Sequence, residues 1–350
     1  MTEQKSQAPV RVTVLMPVYQ GAAHLDAALD SILDQTFANF ELLVVDDGST
    51  DDSATRVTAR RDARIRMLRQ PNNLGLVAAL NRGLDEARGE YVARMDADDI
   101  SLPQRLEKQL AFMDANPDVG ICGTWMEAFS QESKIQWQSP GTHDEIQCRL
   151  LFESVLYHPT VMLRKALVDK YGLRYNKHYP YAEDYELWSR CARLFRTANM
   201  GEVLLRYRIH GESIGGRRRQ EKLATASRVR KRSLEELGLT PSVDEMAIHD
   251  TLALWETQTD WKFLERVHAW LLRLQAANQK QAIYTEPAFS AMLAQRWFYT
   301  CEQSITLGAV AYRAWHNSPF KQVYRAPWQQ RLQFWRRCLM GKLRCQPQRR

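Results

Sequence analysis

Residues 89–99 read GEYVARMDADD, a short apolar run that ends in a burst of aspartates. The same construction stands upstream at 41–52, ELLVVDDGSTDD, and the chain opens on a related run, RVTVLM at 11–16, followed by PVYQG. RIRML at 64–68 reads as a further strand. Continuous apolar runs, as opposed to alternating ones, mark strands buried on both faces of a parallel sheet. Between them lie HLDAALDSILDQ at 24–35 and LVAALNRGLDEA at 76–87, whose apolar residues recur at helical spacing. Thr50 and Asp51 are placed to cap the helix after the second strand. Strand and helix alternating over the first hundred residues predict a doubly wound α/β sheet.

Open α/β sheets bind ligands beyond the carboxyl ends of their strands, which is where the aspartates fall. Asp46 and Asp47 follow the second strand; Asp96, Asp98 and Asp99 follow the fourth. Like charges held together repel and raise one another's pKa. A divalent cation relieves that repulsion, since carboxylate oxygens suit Mg²⁺ or Mn²⁺, which in turn bridges diphosphate oxygens. Asp96-Ala97-Asp98 therefore reads as a metal–diphosphate site, with a capped turn as the alternative. Asp46-Asp47-Gly48-Ser49 reads both as a tight turn with a helix cap and as a loop where one Asp accepts from a base or ribose while Gly48 permits close approach. Glu183-Asp184, after the loop NKHYPYA, either complements a helix dipole or supplies a general base. His210, in RYRIHGES, and His158, in LYHPTVML, are each either ligand-binding (metal and phosphate, respectively) or structural.

From 100 to 216 the pattern is mixed. SLPQRLEKQLAFMDANP at 101–117 reads as a helix opened by Ser101 and Pro103, VGICGTWMEAFS at 119–130 as strand, and HDEIQCRLLFES at 143–154 as helix. A helix is expected from about Asp184, and GEVLLRYRIHG at 201–211 returns to strand; Trp-rich helices fill roughly 233–345. Hydrophobic content of 45% and charged content of 25% over 350 residues exclude wholesale disorder, collagen and a disulfide mini-protein. No apolar run approaches the roughly 18–20 residues a membrane span needs, and MTEQKSQAPV lacks the apolar core of a signal peptide. The six cysteines form no CxxC pair and have no zinc spacing, as expected of reduced thiols in a cytosolic protein. Net charge is +7, yet 217–232 alone carries +7 and 321–350 carries +9, so the remaining body is acidic. Two basic segments on an acidic body suggest an anionic partner.

Taken together, the strings VTVLMPVYQG, ELLVVDDGSTDDS, NNLGLVAALNRGL, GEYVARMDADD, HPTVMLRK, YAEDYELWSRCA and YRIHGESI resemble the family 2 glycosyltransferases, over roughly residues 10–216. The resemblance implies a GT-A fold: a doubly wound mixed sheet with a Rossmann-like nucleotide-binding half, here followed by a helical C-terminal region. The catalytic domain is expected at 1–216, and charge with a change of pattern sets off a basic, Trp-rich helical region at 217–350. The resemblance also implies an inverting, metal-dependent transfer of one sugar from a nucleotide-diphosphate sugar to an acceptor hydroxyl, in cell-surface polysaccharide or lipid-linked glycan assembly. Pro17, Val18 and Tyr19 would line the nucleotide pocket; Asp46 and Asp47 would hold base and ribose. Asp96, Ala97 and Asp98 match the DxD motif, with Mn²⁺ or Mg²⁺ on Asp96, Asp98 and His210. Asp184 matches the catalytic base, with Glu183 beside it. No QxxRW motif follows, which argues against processive synthesis.

Within the tail, Trp328, Leu332, Trp335, Leu339 and Leu343 share one helical face flanked by Arg331, Arg336 and Lys342. That pattern fits either an interfacial helix on an anionic membrane, over 328–344, or a helix packed on the protein's own core. A peripheral site on the inner face of a bacterial plasma membrane would suit a lipid-linked sugar acceptor, and 217–232 would assist by attracting headgroups. A sugar-phosphate nucleotidyltransferase is the competing enzyme class; it expects a Gly-rich basic loop, which PVYQGAAHLD does not supply. A nucleic-acid-binding protein is the non-enzymatic alternative, and no recognisable module supports it.

Overall fold

The computed structural model describes residues 9–130, 133–209 and 218–340. The chain divides into two compact units, one formed by residues up to 146 and by 154–226, the other by 147–153 and by 227 onward.

The first unit is built on one nine-stranded mixed sheet. Its first half alternates β1 (Val12–Val18), α1 (Ala22–Leu33), β2 (Phe40–Asp46), α2 (Ser53–Ala59), β3 (Ile65–Arg69), α3 (Leu76–Glu86) and β4 (Tyr91–Arg94). These four strands run parallel in the order β3-β2-β1-β4. Every residue of β1, β2 and β4 is buried, as the continuous apolar runs require. The second half adds β5 (Ile100–Ser101), α4 (Arg105–Ala115), β6 (Val119–Phe129), β7 (Lys134–Trp137), α5 (His143–Arg149), β8 (Met162–Arg164), α6 (Lys165–Lys170), α7 (Glu183–Cys191) and β9 (Arg196–Arg208). The sheet continues past β4 as β8-β6-β9-β5, with β7 paired to β6. β8 is antiparallel to β4, so the direction of the sheet changes beside the strand that delivers Asp96.

Two turns at the carboxyl edge are laced together. Gln20, in the left-handed region at φ 51°, accepts from the amides of Thr50 and Asp51, both at 3.1 Å. In return Ser49 Oγ, Ser53 Oγ and Asp51 Oδ2 accept from the amides of Gln20, Gly21 and Ala22. Asp51 thus serves both helices, its Oδ2 accepting from Ala22 N at the start of α1 and its Oδ1 from Ser53 N, at 3.1 Å, at the start of α2; Thr50 is spent on the Gln20 side chain.

In the second unit, α8 (Arg219–Glu236), which begins in the first, is followed by α9 (Val243–Ala253), α10 (Trp261–Gln281), α11 (Ala288–Gln303), α12 (Ala309–His316), α13 (Phe320–Val323) and α14 (Trp328–Met340). The basic run at 217–232 is therefore helical from Arg219 onward. The helix expected over 143–154 ends at Arg149 instead, and the next turn sends Leu151 and Phe152 into the core of the helical unit. Phe152 stacks on His249 at 4.2 Å, and Arg296, itself buried, lies 4.0 Å over the Phe152 ring while bonding Glu153 at 2.8 Å. An apolar LLF triplet cannot stay on a helix surface when a core is available.

Helix α14 packs through Phe334 and Cys338, both buried. Trp328 and Leu339 are 70% and 65% exposed, with Leu332 and Trp335 also exposed, so the stripe anticipated for the tail is the open face. Leu343 and Lys342 lie outside the described residues. The five described cysteines are buried. Among the described residues no helix is long and apolar enough to cross a membrane.

His249 ties the inserted segment down. Trp270 Nε1 donates to its Nδ1 at 3.2 Å, so its Nε2 donates to Leu151 O at 3.0 Å. Burial, with smaller contributions from Arg230 and Arg296, pushes its pKa down from 6.5 to about 3. Above pH 6.5 the ring is neutral whether folded or not; below it the unfolded chain takes a proton that the folded one refuses. Stability is therefore lost as pH falls from about 6.5 toward 3, with a slope from this group of up to about 1.4 kcal/mol per pH unit. Urea unfolding followed by tryptophan fluorescence at pH 7 and pH 5 measures this, and His249→Gln, which cannot ionise, flattens the slope by that amount.

Candidate active site

Strand β4 ends at Arg94, and Met95 N still donates to Leu15 O, so the chain leaves the sheet directly into Asp96. Carboxylate oxygens of Asp96, Asp98 and Asp99 all lie within 4.8 Å of one another. Asp96 Oδ2 is bonded to the buried Arg94 guanidinium. Asp99 is fully buried; its Oδ1 accepts from Arg208 N at 2.9 Å, and its Oδ2 has no hydrogen-bond partner among the described residues. Arg208 Nε also bonds the backbone oxygen of Asp98 at 2.8 Å, tying β9 to the cluster. Burial first, then the neighbouring negative charges, raises the pKa of Asp99 well above the usual carboxylate value; burial raises Asp96 as well, opposed by Arg94. Three hard oxygen donors, an orphaned buried oxygen and mutual repulsion fit a divalent cation. Asp99 was recognisable in the sequence only as following the strand; its place among the ligating oxygens comes from the fold. His210 lies outside the described residues.

The ED pair stands at the first turn of α7. Tyr181, at φ 62°, turns the chain sharply into the helix. Glu183 is buried and Asp184 half-buried. Asp184 Oδ1 accepts from Tyr185 N at 2.7 Å. Burial raises the Asp184 pKa, opposed by the Lys222 ammonium, and Asp184 in turn helps to raise Asp96. The two motifs therefore share one electrostatic environment. Glu183 is pushed up to about 7 by burial and by the charge of Asp184.

The residues expected around the nucleotide separate into kinds. Pro17 and Val18 are buried within β1, and Val18 belongs to the apolar core, whereas Tyr19 is half-exposed. Asp46 Oδ1 accepts from Ser49 N at 3.0 Å, with Arg69 Nε 3.2 Å from its Oδ2. Asp47 binds its own chain through both oxygens: Gln70 Nε2 and Leu74 N on Oδ1, Gly75 N on Oδ2, all within 2.8 Å. Gly48, at φ +73°, is needed because a Cβ would stand 2.6 Å from the Asn72 carbonyl carbon; the close approach in this structure is to the 72–73 backbone. Ala97 is half-buried between the two cluster aspartates. His158 offers phosphates no cation, since burial and Arg94 keep it neutral and its Nε2 meets Tyr175 Oη at 2.9 Å.

Sequence and fold comparisons agree with this arrangement. The model of the family described as Glycosyl transferase family 2 matches residues 13–172. An uncharacterized glycosyltransferase of Haemophilus influenzae is 32% identical over 235 residues, covering 64% of this chain and 73% of that protein. The amylovoran biosynthesis glycosyltransferase AmsE of Erwinia amylovora is 32% identical over 212 residues, 59% of this chain and 79% of its own length. Among solved structures, S. aureus TarS in complex with UDP-GlcNAc superposes with a TM-score of 0.55 at 18% identity, covering 89% of this chain and 90% of that one. The mannosyltransferase PcManGT from Pyrobaculum calidifontis, in complex with GDP-Man and Mn²⁺, gives 0.53 at 17% identity, covering 91% and 88%; at these identities the likeness concerns the fold. The parallel β3-β2-β1-β4 half, the acidic cluster past β4 and this relationship give one conclusion: the chain belongs to glycosyl transferase family 2 and is a GT-A glycosyltransferase that moves a sugar from a nucleotide-diphosphate sugar to an acceptor.

Proposed function

We propose that the first unit carries out a single inverting transfer, with Asp184 as the base and Asp96, Asp98 and Asp99 as the cation and diphosphate site. The observation that supports this most is the gathering of Asp96, Asp98 and Asp99 oxygens within 4.8 Å of one another just past β4. A divalent cation, Mn²⁺ or Mg²⁺, would stabilise the charge that develops on the departing diphosphate. Arg94 bonds Asp96 and opposes the upward push of burial on its pKa, and Arg208 fixes Asp99. An acceptor hydroxyl is a weak acid and needs a base within hydrogen-bond reach. Tyr185 N anchors Asp184 Oδ1, which assigns Oδ2 to take the proton as the hydroxyl attacks the anomeric carbon opposite the diphosphate. Burial keeps the Asp184 pKa up, and the Lys222 ammonium opposes it. Tyr19, beside the laced turns, and Asp46 and Asp47 with the 70–75 loop form the nucleotide side of the pocket.

The Erwinia amylovora relative is by name an amylovoran biosynthesis glycosyltransferase, and surface glycan assembly is our assignment here, with a lipid-linked sugar as acceptor. The open face of α14 supports it. Trp328, Leu332, Trp335 and Leu339 are exposed, Arg331 and Arg336 flank them, and residues 321–350 hold no acid. That charge pattern selects an anionic lipid surface as the occupant.

Nucleoside-diphosphate release from a panel of UDP-, GDP- and dTDP-sugars, with Mn²⁺, Mg²⁺ or EDTA, tests the reading. Turnover of one donor is expected with metal and none with EDTA, and Asp98→Ala should remove both turnover and Mn²⁺ binding measured by calorimetry. With a soluble acceptor, Asp184→Asn should lower kcat by about 10²–10⁴-fold. A base must be ionised, so activity falls as pH drops through its pKa; Lys222→Ala removes the ammonium that lowers the Asp184 pKa and moves the acid limb of the rate profile to higher pH. Vesicle sedimentation tests the tail: the full chain should bind phosphatidylglycerol vesicles in a salt-sensitive way, and Trp328→Ser with Trp335→Ser should abolish that binding while leaving metal-dependent donor hydrolysis intact.

A further inference from the structure

Between the acidic cluster and α7 runs an arc of aromatic side chains, half-buried at Trp137, Tyr157 and Tyr207 and passing into the core at Tyr175 and Trp188. It begins at β9, where Arg208 bonds Asp99 and the preceding residue is Tyr207. Trp137, the last residue of β7, lies with its ring centroid 5.9 Å from Tyr207 and 6.1 Å from Tyr157. His158 follows Tyr157 in the chain, bonds Tyr175 Oη, and sits 5.9 Å from Trp188 on α7, the helix that opens with Glu183 and Asp184.

The three rings Trp137, Tyr157 and Tyr207 are each half-buried, and the strand residues before Trp137 (Lys134, Ile135, Gln136) are exposed. Their planes meet at 33° and 54°, so neither pair is stacked face to face. The rings are also held in place. Trp137 is paired in register with Met126 of β6, Tyr157 Oη donates to Gln138 O at 3.0 Å, and Trp125 Nε1 donates to Ser139 O at 3.0 Å. Tyr207 directly precedes Arg208, whose amide bonds Asp99 Oδ1 at 2.9 Å and whose Nε bonds Asp98 O at 2.8 Å, so β9 brings it to the donor end of the site.

We infer that Trp137, Tyr157 and Tyr207 form the platform on which the acceptor sugar stacks. A pyranose ring presents a face of C–H groups that packs on the electron-rich face of an aromatic ring, while its hydroxyls point outward to polar partners. An arc with one end at the carboxylate cluster and the other near α7 holds such a ring between the departing diphosphate and the base. Fixed rings with few rotatable bonds also lower the ordering cost of binding. This rests on the catalytic assignment above, since it gives the acceptor its place relative to Asp184.

The test uses the full chain and a panel of methyl glycopyranosides of glucose, galactose, mannose and N-acetylglucosamine. Saturation-transfer NMR reads their binding without any turnover, so it separates this proposal from the donor-hydrolysis test of the catalytic reading. Wild type should transfer saturation to the ring protons of at least one glycoside. Trp137→Ala should weaken that binding at least tenfold, Trp137→Phe should restore most of it, and, where the glycoside is an acceptor, the rise in KM should be confined to it and spare the donor. Unfolding midpoints of the two variants separate binding from hairpin packing. Binding that survives Trp137→Ala undiminished, binding of no glycoside by wild type, or a Trp137→Phe variant as folded as wild type yet as weak as Trp137→Ala would overturn it.

Discussion

A buried guanidinium makes the acidic edge of this sheet tenable. Arg94 ends β4 with its side chain out of water and bonded to Asp96, and its charge also lowers the pKa of Asp99, Glu183 and Asp184. Uncompensated carboxylates buried at this density would each cost several kcal/mol or take up a proton. One fixed positive charge at the base of the pocket favours the ionised forms, yet it does not cancel them all. Burial still wins at Asp99 and Glu183, whose pKa values stay raised. The remaining deficit of positive charge suits a divalent cation arriving with its donor.

Other parts of the unit serve that balance by holding loops in register. Gln20 and Asp51 cross-brace the turns after β1 and β2, and Asp47 clamps the 70–75 segment with three hydrogen bonds. Carboxylates engaged with three neutral donors are well satisfied and well fixed. The side proposed for the nucleotide is thus held by its own hydrogen bonds, whereas the acidic cluster is under electrostatic tension. Rigid walls around an unbalanced charge are what electrostatic preorganisation requires.

The parallel half of the sheet was legible because strands buried on both faces must read as unbroken apolar runs, and β1, β2 and β4 do. The aspartates were legible because they follow those runs. Arg94 was not, since a lone arginine in an apolar run reads as an edge position until its partner is seen in space. Asp47 and Gly48 carry a loop-holding duty that depends on residues 70–75, more than twenty positions away. In α14 the 3.6-residue period identified a stripe but could not say that Phe334 and Cys338 would be the buried face. Leu151 and Phe152 misled for the opposite reason: apolar residues at the end of a helical pattern extend the helix on paper, while a distant core drew them off it.

That insertion has a consequence for biosynthesis. Residues 147–153 leave the ribosome long before α9–α14, the helices that enclose them. Leu151 and Phe152 must therefore wait, exposed, while nearly two hundred further residues are translated, and the helical unit closes only when its last helices reach back to a segment made early. The two units are interleaved in the order of synthesis, so no single cut in the chain separates them. A C-terminal region of this kind cannot be exchanged between relatives as a simple appendage, because part of its core is encoded inside its neighbour.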